Sequence, residues 1–254
     1  MRCYRWKIHF QLLFLYIFCS ICSNLLITKS LAEVLIKLNN DKNTMEDLGN
    51  SISKILSTSK DNEVQIELGE KNYNIAPNGI NNFYLYSSLT FYSNNGTIFN
   101  FQNDHNSRLY FEMVSGISDI HIKFQNITFY NFSNSDDTQF DMFIFNSFED
   151  TDRFQIEFEN CIFKNIQSNI LNFLVSCKKS TQTKPQIIIN NCQFINSHKV
   201  FITYHFTRYY NNIVTPNCFN LFFKNSTFQD IQSVGRDYYG DITMEDCEYY
   251  NHFN

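Results

Sequence analysis

Residues Ile156–Ile166 read IEFENCIFKNI. Large apolar side chains alternate with polar ones, an Asn-Cys pair interrupts, and the alternation resumes up to a second Asn. Strict alternation marks a strand with one buried face. The interruption admits three readings: one bent strand, two strands around a corner, or a metal or catalytic cysteine site. Comparison of the chain with itself decides between them. Five segments align without gaps: IKFQNITFYN from Ile122, IEFENCIFKN from Ile156, IIINNCQFIN from Ile187, LFFKNSTFQD from Leu221 and ITMEDCEYYN from Ile242. The shared pattern is apolar-x-apolar-x-Asn/Asp-x-x-aromatic-x-Asn/Asp.

The first polar anchors are Asn126, Asn160, Asn191, Asn225 and Asp246, spaced by 34, 31, 34 and 21 residues. The second anchors are Asn131, Asn165, Asn196, Asp230 and Asn251, and the aromatics between them are Phe129, Phe163, Phe194, Phe228 and Tyr249. Asn, Ile, Phe and Tyr are abundant throughout, the bias of an AT-rich genome, so single residues carry little weight and spacing carries the argument. Looser copies begin at Val64 and Leu89, and further apolar runs follow at Met142, Ile170 and Val200. Each unit therefore holds about three short strands with corners between them. One such coil buries nothing alone; stacking coils about 4.8 Å apart pairs every backbone and closes a core. Asn suits the corners because it tolerates left-handed backbone and its amide bonds to the next amide along a stack.

On these residues, 64–254 resemble the right-handed parallel β-helix of the pectin-lyase-like superfamily; VQIELGEKNYNI from Val64 and SDIHIKFQNITFYN from Ser118 are the most typical pieces. The expected fold is an all-β, right-handed, single-stranded parallel β-helix solenoid of six to seven coils. The resemblance implies an N-terminal helical cap, and residues 43–57 within a cap segment 33–63 supply it. Asn43 or Thr44 would cap this helix, and Met45, Leu48, Ile52 and Ile55 form its apolar stripe. A leucine-rich repeat is the nearest rival, but there Asn follows the second strand residue by three positions, and here Asn126 follows Phe124 by two.

Residues 1–32 stand apart. Arg2, Arg5 and Lys7 precede an apolar run from Ile8 to Ile27, and Ser30, Leu31 and Ala32 offer small residues before a cleavage site. This reads as a secretory signal peptide, with an uncleaved anchor as the alternative. The expected location is secreted, extracellular or cell-surface. A membrane enters only through an uncleaved N-terminal segment or if the chain is a fragment of a larger protein. Of the 20 Lys and Arg, four lie in this segment, so 16 remain against 25 acidic residues and the formal charge becomes −9. An acidic chain without basic clusters argues against nucleic acid.

Five cysteines follow the leader: Cys161, Cys177, Cys192, Cys218 and Cys247. None forms a close CxxC pair, so no metal or other cofactor is expected. Cys161, Cys192 and Cys247 share a repeat position with Ile127 and Ser226, which reads as a small inward slot; a Cys161–Cys192 disulfide between coils is the alternative. The sequons are Asn95, Asn126, Asn131 and Asn225, and Asn95 in the turn SNNGT is the expected glycosylation site because the others coincide with anchors.

Polysaccharide hydrolases of the resembled superfamily cluster Asp with Gly-His-Gly and Arg-x-Lys, and its lyases cluster calcium-binding acids with Arg. This chain has neither signature. Asp136 and Asp137 are the catalytic candidates, beside a second acidic group of Glu149, Asp150 and Asp152 with Arg153. Arg208, Tyr209 and Tyr210, then Arg236, Tyr238 and Tyr239, recur in successive coils and are the candidates for carbohydrate contact. The last unit stops just after its second anchor, so a partner or a further segment is expected to cover the C-terminal end. The expected function is a structural or carbohydrate-binding module without its own catalytic centre, with a polysaccharide lyase or glycoside hydrolase, or the extracellular part of a membrane protein, as alternatives.

Overall fold

The computed structural model describes residues 33–59, 62–76, 81–104, 106–117, 119–133, 141–147, 153–175, 184–205, 219–236 and 240–251. Within them the chain winds as a parallel β-solenoid of about 5 turns, and every strand pairing is parallel. The strands are β1 (Val34–Lys37), β2 (Val64–Glu67), β3 (Asn72–Asn74), β4 (Asn82–Leu85), β5 (Leu89–Asn100), β6 (Leu109–Met113), β7 (Ile120–Phe132) and β8 (Asp141–Ser147). They continue as β9 (Phe154–Glu159), β10 (Ile162–Val175), β11 (Ile187–Asn190), β12 (Gln193–His205), β13 (Phe219–Lys224), β14 (Thr227–Arg236), β15 (Gly240–Glu245) and β16 (Glu248–Tyr250).

Three walls result. Wall A runs β1-β2-β5-β7-β9-β11-β13-β15, wall B runs β3-β5-β7-β10-β12-β14-β16, and wall C runs β4-β6-β8-β10-β12-β14, with long strands bending from one wall to the next. The count differs slightly from the six to seven coils expected. Among the described residues β1 supplies wall A alone, and the last winding has β15 and β16 but no strand on wall C.

The corners carry the strain the anchors were chosen for. Nine of the ten anchors have positive φ, from 48° at Asn225 to 59° at Asn126. In that region Asn and Asp are the favoured non-glycine residues. The first corner in β5 uses Gly96 instead, at φ 80°. Corner amides bond along the stack: Asn191 Nδ2 donates to Asn160 Oδ1 at 2.6 Å, Asn196 to Asn165 at 2.9 Å and Asn165 to Asn131 at 3.4 Å. Asn126 Nδ2 reaches the Ser93 carbonyl at 2.9 Å.

Inward residues form columns, since in-register strands place like on like. On wall B, Phe129, Phe163, Phe194 and Phe228 pair in register, with ring centroids 5.0, 4.8 and 5.2 Å apart. Wall A stacks Phe91, Phe124 and Phe158 at 5.4 and 4.9 Å, and wall C stacks Phe83, Phe111, Phe145 and Phe173. Rings stack along the axis and meet edge to face across the core, as Phe129 meets Phe143. Both arrangements suit the ring quadrupole.

The N-terminal cap differs in detail from expectation. Instead of one helix over 43–57 there are two, α1 (Lys42–Glu46) and α2 (Leu48–Thr58), broken at Asp47. Asp41, not Asn43 or Thr44, caps α1: its carboxylate accepts from the Thr44 amide at 2.9 Å and from its hydroxyl at 2.6 Å. Leu48, Ile52 and Leu56 are buried on the core, and Ser53 bonds the open edge of β4, donating to Asn82 O at 3.3 Å and accepting from Tyr84 N at 2.8 Å. No described helix is long and apolar enough to cross a membrane.

Candidate functional site

Pleating sends alternate residues outward, and on wall A in-register pairing lines them up in rows. One row runs Lys123, Glu157, Ile188, Phe222 and Thr243; the next runs Gln125, Glu159, Asn190, Lys224 and Glu245. Lys123 bridges two carboxylates, Glu157 at 3.1 Å and Glu159 at 2.5 Å, and His121 Nε2 meets Glu157 at 3.2 Å. Beside this charged cluster the wall turns apolar. Ile188 and Phe222 stand out from the sheet, and with Pro185, Glu157, Asn190 and Lys224 they line a shallow depression of about 380 Å³. The Oδ1 atom of Asn190 is buried there without a hydrogen-bond partner. The site therefore presents an apolar floor with a carboxylate, an amide and an ammonium at its edges.

The Glu157 carboxylate is held below the usual range, first by the His121 hydrogen bond and then by Lys123, against the opposing effect of burial. Its stabilisation is fully present above the unfolded carboxylate value and is lost as pH falls through the lower folded value. Glu157→Gln is expected to lower stability by about 1 kcal/mol at pH 6 and to flatten the acid limb of the stability–pH curve. Urea midpoints between pH 3 and 7 test this; parallel curves for the two proteins would rule it out.

A second polar cluster lies where wall B turns into wall C. Asp141 accepts from Asn169 Nδ2 at 2.7 Å and from Asn172 Nδ2 at 2.5 Å. Burial pushes its carboxyl up despite these donors. A smaller polar depression of about 320 Å³ lies beside α1, lined in part by Asn40, Asp41, Asn74 and Gln102. Among the described residues no group of three His, Cys, Asp or Glu side chains is placed to hold a metal.

The residues singled out from sequence fare unevenly. Asp136, Asp137, Glu149, Asp150, Asp152, Arg208, Tyr209, Tyr210, Tyr238 and Tyr239 lie outside the described residues, as do Cys177 and Cys218. Arg236 ends β14 on wall C, paired in register with Ile202. Arg153 forms a two-pronged ion pair with Asp119, its Nε donating to Oδ1 at 2.9 Å and its Nη2 meeting Oδ2. Asn95 is exposed at the β5 bend, and the hydroxyl of its sequon Thr97 donates to Glu70 O at 2.7 Å.

Cys161, Cys192 and Cys247 are free thiols. Where Cys or Ser fills their shared slot, rather than Ile127, the side chain also donates. Cys161, Cys192, Ser226 and Cys247 each donate to the carbonyl two residues back, at 3.4, 3.3, 2.8 and 3.4 Å. The first three also reach a carbonyl of the preceding coil, Phe124, Phe158 and Ile189 respectively. Burial raises the Cys192 thiol well above its ordinary value, which keeps it protonated and a poor nucleophile.

The Ile188–Phe222 floor escaped the sequence reading. Its signal was present in IIIN and LFFK, where three consecutive apolar residues break the alternation and the middle one must face out. In comparisons with protein-family models, curated proteins and solved structures, nothing matches this chain.

Proposed function

We propose that this chain is a secreted or cell-surface β-helix of the pectin-lyase-like kind that binds carbohydrate on the outside of wall A and brings no catalytic centre of its own. The observation that carries this reading is the Ile188–Phe222 floor edged by Glu157, Asn190 and Lys224. Aromatic and aliphatic surface takes the C–H face of a sugar ring, while carboxylate, amide and ammonium groups satisfy hydroxyls at its rim. The basic start, apolar run and small residues of positions 1–32 support export. Against a hydrolase, the carboxylates nearest the floor are already held by Lys123, and ionised Glu157 is no proton donor near neutral pH.

A glycan array probed with the wild type and with Phe222→Ala, with products assayed in parallel, tests the proposal. We expect at least one glycan class to bind, Phe222→Ala to weaken it by about tenfold or more, and no glycan to be cleaved. Binding untouched by Phe222→Ala would move the site elsewhere, and turnover would replace the reading with an enzymatic one.

A further inference from the structure

We propose that Asn95 is an N-glycosylation site and that, of the four sequon asparagines, it alone carries sugar in the folded protein. The inference rests on the export part of the reading above, because the transferase and its donor, a polyprenyl-pyrophosphate-linked oligosaccharide, meet only translocated chains. Three of the sequon asparagines, Asn126, Asn131 and Asn225, are corner anchors with φ of 59°, 57° and 48°. Each is tied to a neighbouring coil. Asn126 Nδ2 donates to Ser93 O at 2.9 Å, Asn131 Oδ1 accepts from Asn165 Nδ2 at 3.4 Å, and the Asn225 backbone amide donates to Glu245 O at 3.0 Å. Successive corners lie one strand spacing apart, about 4.8 Å, too close for a sugar ring to enter the column.

Asn95 is placed differently. Between the in-register pairs Tyr92–Gln125 and Thr97–Ile127, β5 spends four residues, 93–96, where β7 spends one, Asn126. The extra residues bulge from the corner, and Gly96 at φ 80° makes their turn. The bulge is pinned at its base. Ser93 Oγ donates to Leu68 O at 2.9 Å, Asn94 Nδ2 to Glu67 Oε1 at 3.2 Å and Thr97 Oγ1 to Glu70 O at 2.7 Å, while Ser93 O accepts from Asn126. The Asn95 side chain is exposed and has no hydrogen-bond partner among the described residues. Its amide therefore takes a sugar without losing a contact. In the transfer Asn95 Nδ2 bonds to C1 of the first sugar and gives up one proton. The C1–O bond to the pyrophosphate breaks, and the lipid pyrophosphate leaves with that electron pair. Thr97, the hydroxyl residue of the sequon, is 3% exposed in the folded chain, so transfer precedes the docking of β5 on the β2–β3 coil. Selection among the sequons then acts during folding: a chain with sugar in a corner column does not close its coil there.

The full 254-residue chain, expressed in a eukaryotic host, tests this. Protease protection in microsomes from that host reports translocation, and glycopeptide mass spectrometry of the folded, protease-resistant protein maps the sugar. Sugar is expected on Asn95 and on none of Asn126, Asn131 and Asn225. Asn95→Gln removes it and leaves the urea midpoint of the sugar-free protein unchanged, since that side chain holds nothing in place. Thr97→Ser preserves both sequon and hydroxyl and keeps the sugar. Both readouts are independent of the wall A floor, which lies three to four strand spacings, about 14–19 Å, from β5. A translocated chain bare at Asn95, or folded protein with sugar on a corner anchor, would overturn this inference and leave the export reading standing. A chain that stays outside the microsomes would overturn both.

Discussion

Phe158→Ala is expected to destabilise the solenoid by about 3–5 kcal/mol, among the largest effects of any single truncation. Phe158 is fully buried. Its ring stacks on Phe124 at 4.9 Å and meets Phe129, Phe143, Phe145 and Phe163 at angles between 65° and 80°. It is the point where rings from all three walls converge. Removing the ring leaves a cavity that the surroundings are poorly able to close, because β9 is hydrogen-bonded to β7 on one side and β11 on the other. Moving one wall inward means breaking those ladders. Cavity cost grows where collapse is prevented, which places this site toward the upper part of the range. Phe222→Ala, on the outside of the same wall, is expected to change stability by less than about 1 kcal/mol. Urea or guanidinium midpoints for the two variants make the comparison. A Phe158→Ala loss below about 1 kcal/mol would mean that the ring columns are not the core that holds the coils.

These columns were legible in the sequence because each coil repeats the same spacing. Once Phe129, Phe163, Phe194 and Phe228 align, parallel pairing in register has to stack them. The corners were legible for the same reason, since Asn in an αL position leaves a compositional mark that a β-branched residue does not. Other features left no mark. The stripe Met45, Leu48 and Ile52 runs through the break at Asp47, so helical periodicity alone does not reveal that the cap is two helices. Cys, Ser and Ile share one repeat slot, and size explains all three; that the single Cys or Ser hydrogen lies within reach of two carbonyls there emerges only when the preceding coil is in place. The floor of the candidate site was hidden by its own hydrophobicity. In LFFK the run Leu221-Phe222-Phe223 reads as core, and only the register, which sends Leu221 and Phe223 inward, leaves Phe222 outside. Periodicity identifies which residues repeat, whereas a site made of exceptions to the repeat needs the faces assigned.

Asn191→Val is expected to cost about 2–4 kcal/mol, combining about 1–3 for backbone strain with about 1 for the lost amide bond. Asn191 has φ 52°, and its side chain donates to Asn160 at 2.6 Å. Its backbone amide meanwhile donates to Lys224 O at 2.9 Å, so a shift at this corner disturbs the coils on both sides. A series at this position separates the two contributions. Asn191→Gly removes the amide but accepts positive φ freely, and is expected to cost about 1 kcal/mol. Asn191→Asp keeps tolerance for αL but has no donor for Asn160 Oδ1, and should fall close to Gly. Asn191→Ala adds a left-handed penalty of about 1 kcal/mol, and Val adds β-branching to that. The expected order of loss is therefore Gly and Asp, then Ala, then Val, measured as changes in urea midpoint at constant m-value. If all four cost the same, the amide ladder alone accounts for the anchor; if Gly matches wild type while Val unfolds the chain, backbone geometry alone does. The distinction bears on Asp230 and Asp246, which occupy equivalent corners at φ 51° and 52°. A carboxylate supplies no amide donor, so its use at those corners is explained by the left-handed backbone. At Asn191, with Asn160 beneath it, the same geometry comes with a ladder bond in addition. Stability in a solenoid is carried by contacts between neighbouring coils, so the Val substitution is expected to weaken the interfaces on both sides of Asn191 at once.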